Sequence, residues 1–245
     1  MFGKRKGLPE NMPKHISFII DGNGRWAQKR GLPRNYGHKI GMKAVEKTIE
    51  NLVEFKVPYA SFYCFSSENW KRSKEEIDGI CDICRDYFKK EKEYFMKKNI
   101  KVLAFGDTSK FPNDLQEELA SVLDSTKDNT GLTVMLCIGY GGRDDVVRAV
   151  NKLIASGKKT VTEEDISNNL YTAGIPDPDF VVRTSGENRI SNYMIYQVAY
   201  SELYFPKVLW PDFDRKALIE AFWQYSKRKR RFGGYGKWKR DHYQL

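Results

Sequence analysis

Short apolar runs that alternate with longer stretches of helical spacing constrain this chain more than any other feature. The runs are residues 15–20 (HISFII), 59–65 (YASFYCF), 100–105 (IKVLAF), 132–138 (LTVMLCI) and 180–182 (FVV). Between the first two, Met42, Val45, Ile49, Leu52 and Val53 recur at helical intervals, and Pro58 closes the segment. Ile77, Ile80, Cys81, Cys84, Phe88 and Phe95 do the same on a long, highly charged helix. Leu115, Leu119 and Val122 mark a third helix, and Val146, Val147, Val150 and Ile154 a fourth. Such an exchange predicts an α/β fold with a central, mostly parallel sheet flanked by helices. No repeat, linker or break in composition divides the 245 residues, so a single domain is expected.

The chain is long enough to bury a sizeable core. It has no apolar run near the roughly 18 residues that a membrane-spanning helix needs. The first residues, MFGKRKGLPENMPKH, are basic and lack the apolar centre of a signal peptide, so a cytoplasmic location is expected. Four cysteines include the pair Cys81 and Cys84, without a second pair or histidines at zinc spacing. The pair falls within a helical pattern, so apolar packing or pocket lining is expected of it. A net charge of +10 points to an anionic partner. Much of that charge sits in KRKRR (227–231) and KWKR (237–240).

In an open parallel sheet, ligands bind beyond the carboxyl ends of the strands. Here those ends read DGNGR (Asp21 to Arg25), SSENWKR (Ser66 to Arg72), GD (Gly106, Asp107), GYGGR (Gly139 to Arg143) and RTSGENRIS (Arg183 to Ser191). Asp21 beside Gly22, Asn23 and Gly24 suits a hard cation such as Mg²⁺ shared with a diphosphate, with backbone N–H groups free to approach an anion. Arg25 adds a guanidinium fork that matches phosphate oxygens. Arg34, Arg72, Arg183 and Arg189 also lie near these ends, and Ser191 offers a hydroxyl. Gly22 to Ala27 fits a loose dinucleotide fingerprint, but the acid expected about 20 residues on would fall in the helical pattern at 42–53. No Walker A sequence is present. The greasy face at 77–95, with Cys64, Leu136 and Ile138, is either plain core or the wall of a channel for a hydrocarbon chain.

With these segments in view, the chain resembles the cis-prenyltransferase family over about residues 13–234, leaving a flexible stretch at 1–12 and a basic tail at 235–245. The likeness is carried by DGNGRWAQKRG, GHKIG, FSSENWKR, NTGLTV, YGGR, RTSGENRISNY, LYFPKVLWPDF and RRFGG, in the family's order. It implies a mostly parallel α/β fold with a hydrophobic tunnel, acting as a homodimer. It implies Mg²⁺-dependent addition of isopentenyl diphosphate to an allylic diphosphate, expected to be farnesyl diphosphate. The expected product is undecaprenyl diphosphate, precursor of the cell-wall carrier lipid, with a shorter cis-prenyl diphosphate as the alternative.

The same resemblance assigns roles by position. Asp21 is implied as the essential acid that works with Mg²⁺, with Glu202 as the second metal carboxylate. Gly22, Asn23, Gly24, Arg25, Trp26, Arg34 and His38 correspond to the allylic diphosphate pocket. Ser66, Ser67, Glu68, Trp70 and Arg72 fall in the segment that shapes that pocket and a mobile loop. Asn69 matches a residue assigned to proton removal, and Arg183, Arg189, Ile190 and Ser191 match the clamp on isopentenyl diphosphate. RRFGG resembles a motif that completes that clamp across the dimer.

Three positions depart from the family's pattern: Gly139 replaces Asn before YGGR, Ser73 replaces Pro, and Asn188 stands where some relatives have His. The all-α prenyltransferases use DDxxD, and DDVVR (144–148) lacks its last Asp. Nucleic-acid binding is the non-enzyme alternative, resting on charge alone. No recognised module supports it, and the rim carboxylates oppose it. The basic tail also suits peripheral contact with anionic lipid.

Overall fold

The computed structural model of the chain describes residues 7–228. Six strands form one sheet in the order β3-β4-β2-β1-β5-β6, and every neighbouring pair is parallel. They are β1 His15–Ile19, β2 Tyr59–Ser66, β3 Lys101–Phe105, β4 Thr133–Tyr140, β5 Phe180–Arg183 and β6 Glu202–Tyr204. The helices are α1 Asn23–Gln28, α2 Arg34–Glu54, α3 Lys74–Lys97, α4 Asn113–Thr126, α5 Gly142–Ala155, α6 Glu163–Ser167 and α7 Arg215–Ser226. All five apolar runs are strands. The strand β6 was not foreseen: its three residues are too short to show a period, and it forms only because β5 offers an open edge.

Covered on both faces, the central strands are buried along nearly their whole length, which is why they read as continuous apolar runs. Ile16 and Phe18 point to one face, where Phe62, Trp210 and Phe222 join the main core beneath α2, α3, α4 and α7. Ile19, Tyr63, Met135, Cys137 and Val181 point to the other, where Tyr193 and Met194 cover them. The fourth helical pattern is offset from expectation. In α5 it is Asp145, Ala149 and Leu153 that are buried, whereas Val147 and Ile154 are more than half exposed. Asp145 can turn inward because Tyr140 Oη, Arg148 and the Tyr171 N–H all donate to it.

Cys81 and Cys84 lie on α3 as unbridged thiols. Gly139 adopts a φ of 65°, in the left-handed region that Gly and Asn tolerate best. Within the N-terminal stretch 1–12, residues 7–12 are described: Trp223 Nε1 donates to Gly7 O at 3.2 Å, and Met12 packs on the core. RRFGG and the 235–245 tail lie outside the described residues.

Beneath Tyr193 a polar chain crosses the sheet. His15 Nδ1–H donates to Pro176 O at 2.7 Å, and its Nε2 accepts from the Ser61 hydroxyl at 3.0 Å. Ser17 Oγ lies 2.6 Å from Ser61 Oγ and 2.9 Å from Tyr193 Oη. Burial pushes the His15 imidazole down to about 4 from 6.5, against the Pro176 bond and the charge of Asp179. Unfolding therefore takes up a proton between those two values, and stability falls as pH drops through them. The loss is of order 3 kcal/mol at most. Urea unfolding at pH 7.5 and pH 4.5 checks this: a neutral His15→Gln protein should show a clearly smaller pH effect than the wild type.

Candidate active site

The register of β1, β2 and β5 sends Asp21, Ser66 and Arg183 to the same edge of the sheet. There a pocket of about 190 Å³ is lined by Asp21, Asn23, His38, Ser66, Asn69, Arg72, Arg183 and Ser191, together with Ile19, Ile20, Tyr63 and Cys64. Local contacts fix the turn after β1. Asp21 O accepts from Thr184 Oγ1 at 2.6 Å and from the Trp210 N–H at 3.1 Å. Gly37 and Gly41, the two glycines of GHKIG, let Asn23 press onto α2, because a Cβ at either would collide with it.

Two clusters of charge face this pocket. In the first, the Asp21 carboxylate lies between Arg183 Nη2 at 2.9 Å and Arg25 Nη2 at 3.1 Å. Burial works to raise its pKa, but the Arg183 bond and charge, with those of Arg25, outweigh this and hold it below the usual range. Arg183 Nη1 also donates to Ser191 Oγ at 2.7 Å and Arg189 O at 2.6 Å. Glu187 then bridges Arg25 at 2.8 Å and Arg189 at 2.6 Å. In the second, Glu76 at the start of α3 gathers Arg72 at 3.0 Å, His38 at 3.3 Å and Arg34 at 3.5 Å. Each carboxylate thus pairs with several cationic groups at once.

The backbone is strained beside the first cluster. Ser185, Ser191, Asn192 and Met194 all have positive φ, a conformation that persists only where surrounding contacts enforce it.

Not every expected residue reaches the pocket. Trp26 turns its Nε1–H to Asp212 Oδ1 at 2.7 Å, away from the two clusters. Trp70 packs against Phe65 and Phe111, and Ile190 joins the core under Tyr193. Glu68 is held by Asn192 and Ser67, whereas Asn69 does line the pocket, with its Oδ1 accepting the Ser66 N–H at 3.0 Å. Glu202 is not brought to Asp21 within the chain. It pairs with Phe180 at the start of β5, whereas Asp21 follows the pair Ile19 and Arg183 at the other end, and its carboxylate forms an ion pair with Arg228 at 3.6 Å. Parallel register alone dictates that separation. Tyr63, Glu76 and Asn192 were missed. Tyr63 lies inside a strand run, where nothing but its hydroxyl marks it, whereas Glu76 follows the SSENWKR segment and so carried a signal.

Among the described residues, no three His, Cys, Asp or Glu side chains gather as a ligand set. One ionised carboxylate beside anion-binding arginines fits a hard cation that arrives with substrate phosphates and keeps its own waters. Cys64 also lines a second, apolar cavity with Phe65, Ile80, Cys84, Phe88 and Phe111, between the sheet, α3 and α4. At about 20 Å³ it holds little more than a water molecule, too little for a hydrocarbon chain as it stands.

Comparison with known proteins agrees with this geometry. The family described as "Putative undecaprenyl diphosphate synthase" matches residues 19–233. An isoprenyl transferase of Fusobacterium nucleatum is 46% identical over 227 residues, covering 93% of this chain and 98% of that one. One from Clostridium tetani is 43% identical over 231 residues, covering 92% and 91%. Lavandulyl diphosphate synthase from Lavandula x intermedia, solved in complex with dimethylallyl diphosphate, superposes with a TM-score of 0.87 at 31% identity, covering 91% of this chain and 98% of that one. A "probable undecaprenyl diphosphate synthase" from Campylobacter jejuni gives 0.77 at 31%, covering 91% and 99%. The chain belongs to the undecaprenyl diphosphate synthase family of prenyl transferases and is an enzyme of that class.

The Glu76 cluster makes a titration prediction. Burial and then the charge of Arg72 lower the His38 pKa, while Glu76 opposes them. Replacing Glu76 by Gln removes the opposing charge, so the His38 midpoint should move to lower pH. Proton NMR of the imidazole checks this, and a rise would contradict the geometry.

Proposed function

We propose that this enzyme lengthens an allylic diphosphate, with farnesyl diphosphate as primer, by successive addition of isopentenyl diphosphate to give undecaprenyl diphosphate. The observation that carries the reading is Asp21 held between Arg25 and Arg183, beside the Arg34, His38 and Arg72 cluster and next to an apolar cavity through Cys64. The dimethylallyl diphosphate in the lavender relative supports allylic diphosphate as the substrate class.

In this reading Arg25, Arg34 and Arg72 bind the allylic diphosphate. Arg183, Arg189 and Ser191 hold isopentenyl diphosphate, and Glu76 and Glu187 yield their arginines to the incoming anions. Magnesium held by Asp21 and the diphosphate would supply charge neutralisation for the leaving group. The arginines stabilise the same charge as the allylic C–O bond breaks and its electrons leave with diphosphate. The double bond of isopentenyl diphosphate attacks the allylic carbon, and loss of a proton sets the new cis double bond. Asn69 is a weak base, and its Oδ1 is occupied by the Ser66 N–H. His38, kept neutral by burial, or a diphosphate oxygen is the better acceptor.

A shorter product is the second reading, favoured by the cavity of only about 20 Å³ if α3 stays in place. A second copy of the chain is the proposed partner, supported by the exposed Val147 and Ile154 on α5. No described helix is long and apolar enough to cross a membrane. Cytoplasmic residence, with the basic tail leaning on anionic lipid, is part of the proposal and rests on the sequence.

Purified protein incubated with farnesyl diphosphate, radiolabelled isopentenyl diphosphate and Mg²⁺ should give a long polyprenyl ladder after dephosphorylation. Asp21→Ala should lower incorporation at least about a hundredfold, and chelation of Mg²⁺ should stop it. Short products alone would favour the second reading, and no incorporation with any primer would refute prenyl transfer from these substrates.

A further inference from the structure

Three segments of the rim meet on Asn192. Its Nδ2–H donates to Glu68 Oε1 at 2.9 Å, in the 3-10 turn that follows β2. Its Oδ1 accepts the Arg143 N–H at 2.9 Å, and its backbone O accepts the Gly142 N–H at 2.7 Å. Those are the first two N–H groups of α5, whose own N-cap, Gly141, offers no side chain. Asn192 therefore caps α5 from a different loop.

The surroundings are shaped to admit it. A Cβ on Gly141 would lie 2.5 Å from Ser67 Oγ and 3.0 Å from Asn192 Nδ2, and one on Gly142 would lie 3.0 Å from Asn192 O. The glycines of YGGR thus leave room for this junction. Asn192 has a φ of 61° and Ser191 one of 49°, so the chain makes a left-handed turn that Asn tolerates better than most residues. That turn presents Ser191 Oγ to Arg183 at 2.7 Å, while Tyr63 Oη lies between Tyr140 O at 3.2 Å and Ser191 O at 3.4 Å. Burial works to raise the Glu68 pKa, but the bond from Asn192 leads the contacts that hold it below the usual range.

We propose that Asn192 is a positioning residue for the second diphosphate. By tying Glu68 and the start of α5 to the turn at 191–192, it fixes Ser191 against Arg183 and couples the 66–71 segment to that clamp. The proposal rests on reading Arg183, Arg189 and Ser191 as the isopentenyl diphosphate site. A cap for α5 alone would need only the two oxygens of Asn192, which Asp supplies equally well. The donor to Glu68 is what Asp lacks, so Asn192→Asp keeps the cap and the turn but sets one carboxylate against another.

Steady-state kinetics and hydrogen exchange on the full chain test this, using Asn192→Asp in the wild-type and Glu68→Gln backgrounds. In the wild-type background KM for isopentenyl diphosphate should rise about tenfold, with kcat changed less than about threefold. In the Glu68→Gln background, where the amide can donate to Asp, the same substitution should raise KM less than about threefold. Equal penalties in the two backgrounds, or an unchanged KM, would overturn the clasp. Hydrogen exchange needs no turnover. Asn192→Asp should speed exchange in both 66–71 and 186–192, and Glu68→Gln should restore both. Loosening that ignores Glu68 would overturn the proposal even if the wild type proved inactive on these substrates.

Discussion

Parallel pairing of all six strands is the constraint on which the site depends. Because each neighbouring pair runs the same way, the carboxyl ends of β1, β2, β4 and β5 reach one edge together. The crossovers that parallel pairing demands place helices on the faces, so no layer covers that edge. Burial on both faces holds the strands in register. Asp21 and Arg183 thereby meet at 2.9 Å although 162 residues separate them. A shift of one residue in β5 would turn Arg183 toward the opposite face and dissolve the contact.

Charge balance is the second theme. The rim concentrates Arg25, Arg34, Arg72, Arg183 and Arg189, and without an anion their mutual repulsion would disfavour the fold. Asp21, Glu76 and Glu187 offset part of that charge, three carboxylates against five guanidinium groups. Glu76 and Glu187 sit on helix-start and loop positions rather than within strands. The walls of the site are thus supplied by strand ends on one side and by the start of α3 and the 184–194 loop on the other.

Much of this was legible in the residues. The five apolar runs gave the strands, because buried parallel strands need uninterrupted apolar side chains. The motifs at their ends gave Asp21, Ser66, Asn69, Arg72, Arg183 and Ser191, and the family resemblance added His38; all of these line the pocket. Other features were not legible. The strand β6 is too short to carry a period. The inward face of α5 is anchored by a carboxylate, Asp145, which no hydrophobicity pattern reveals. Trp26 and Trp70 lie in the right motifs yet point elsewhere, because Asp212 and Phe111, remote in sequence, capture them.

Local sequence determined which segments become strands and helices, since apolar period and turn chemistry act over a few residues. It also determined which chemical groups end each strand. Register, the pairing of Asp21 with two arginines, the separation of Glu202 from Asp21, and the meeting of three loops on Asn192 were decided only by the tertiary structure. Each depends on strands distant in the chain lying side by side, where backbone hydrogen bonds and packing, rather than local preference, set the distances.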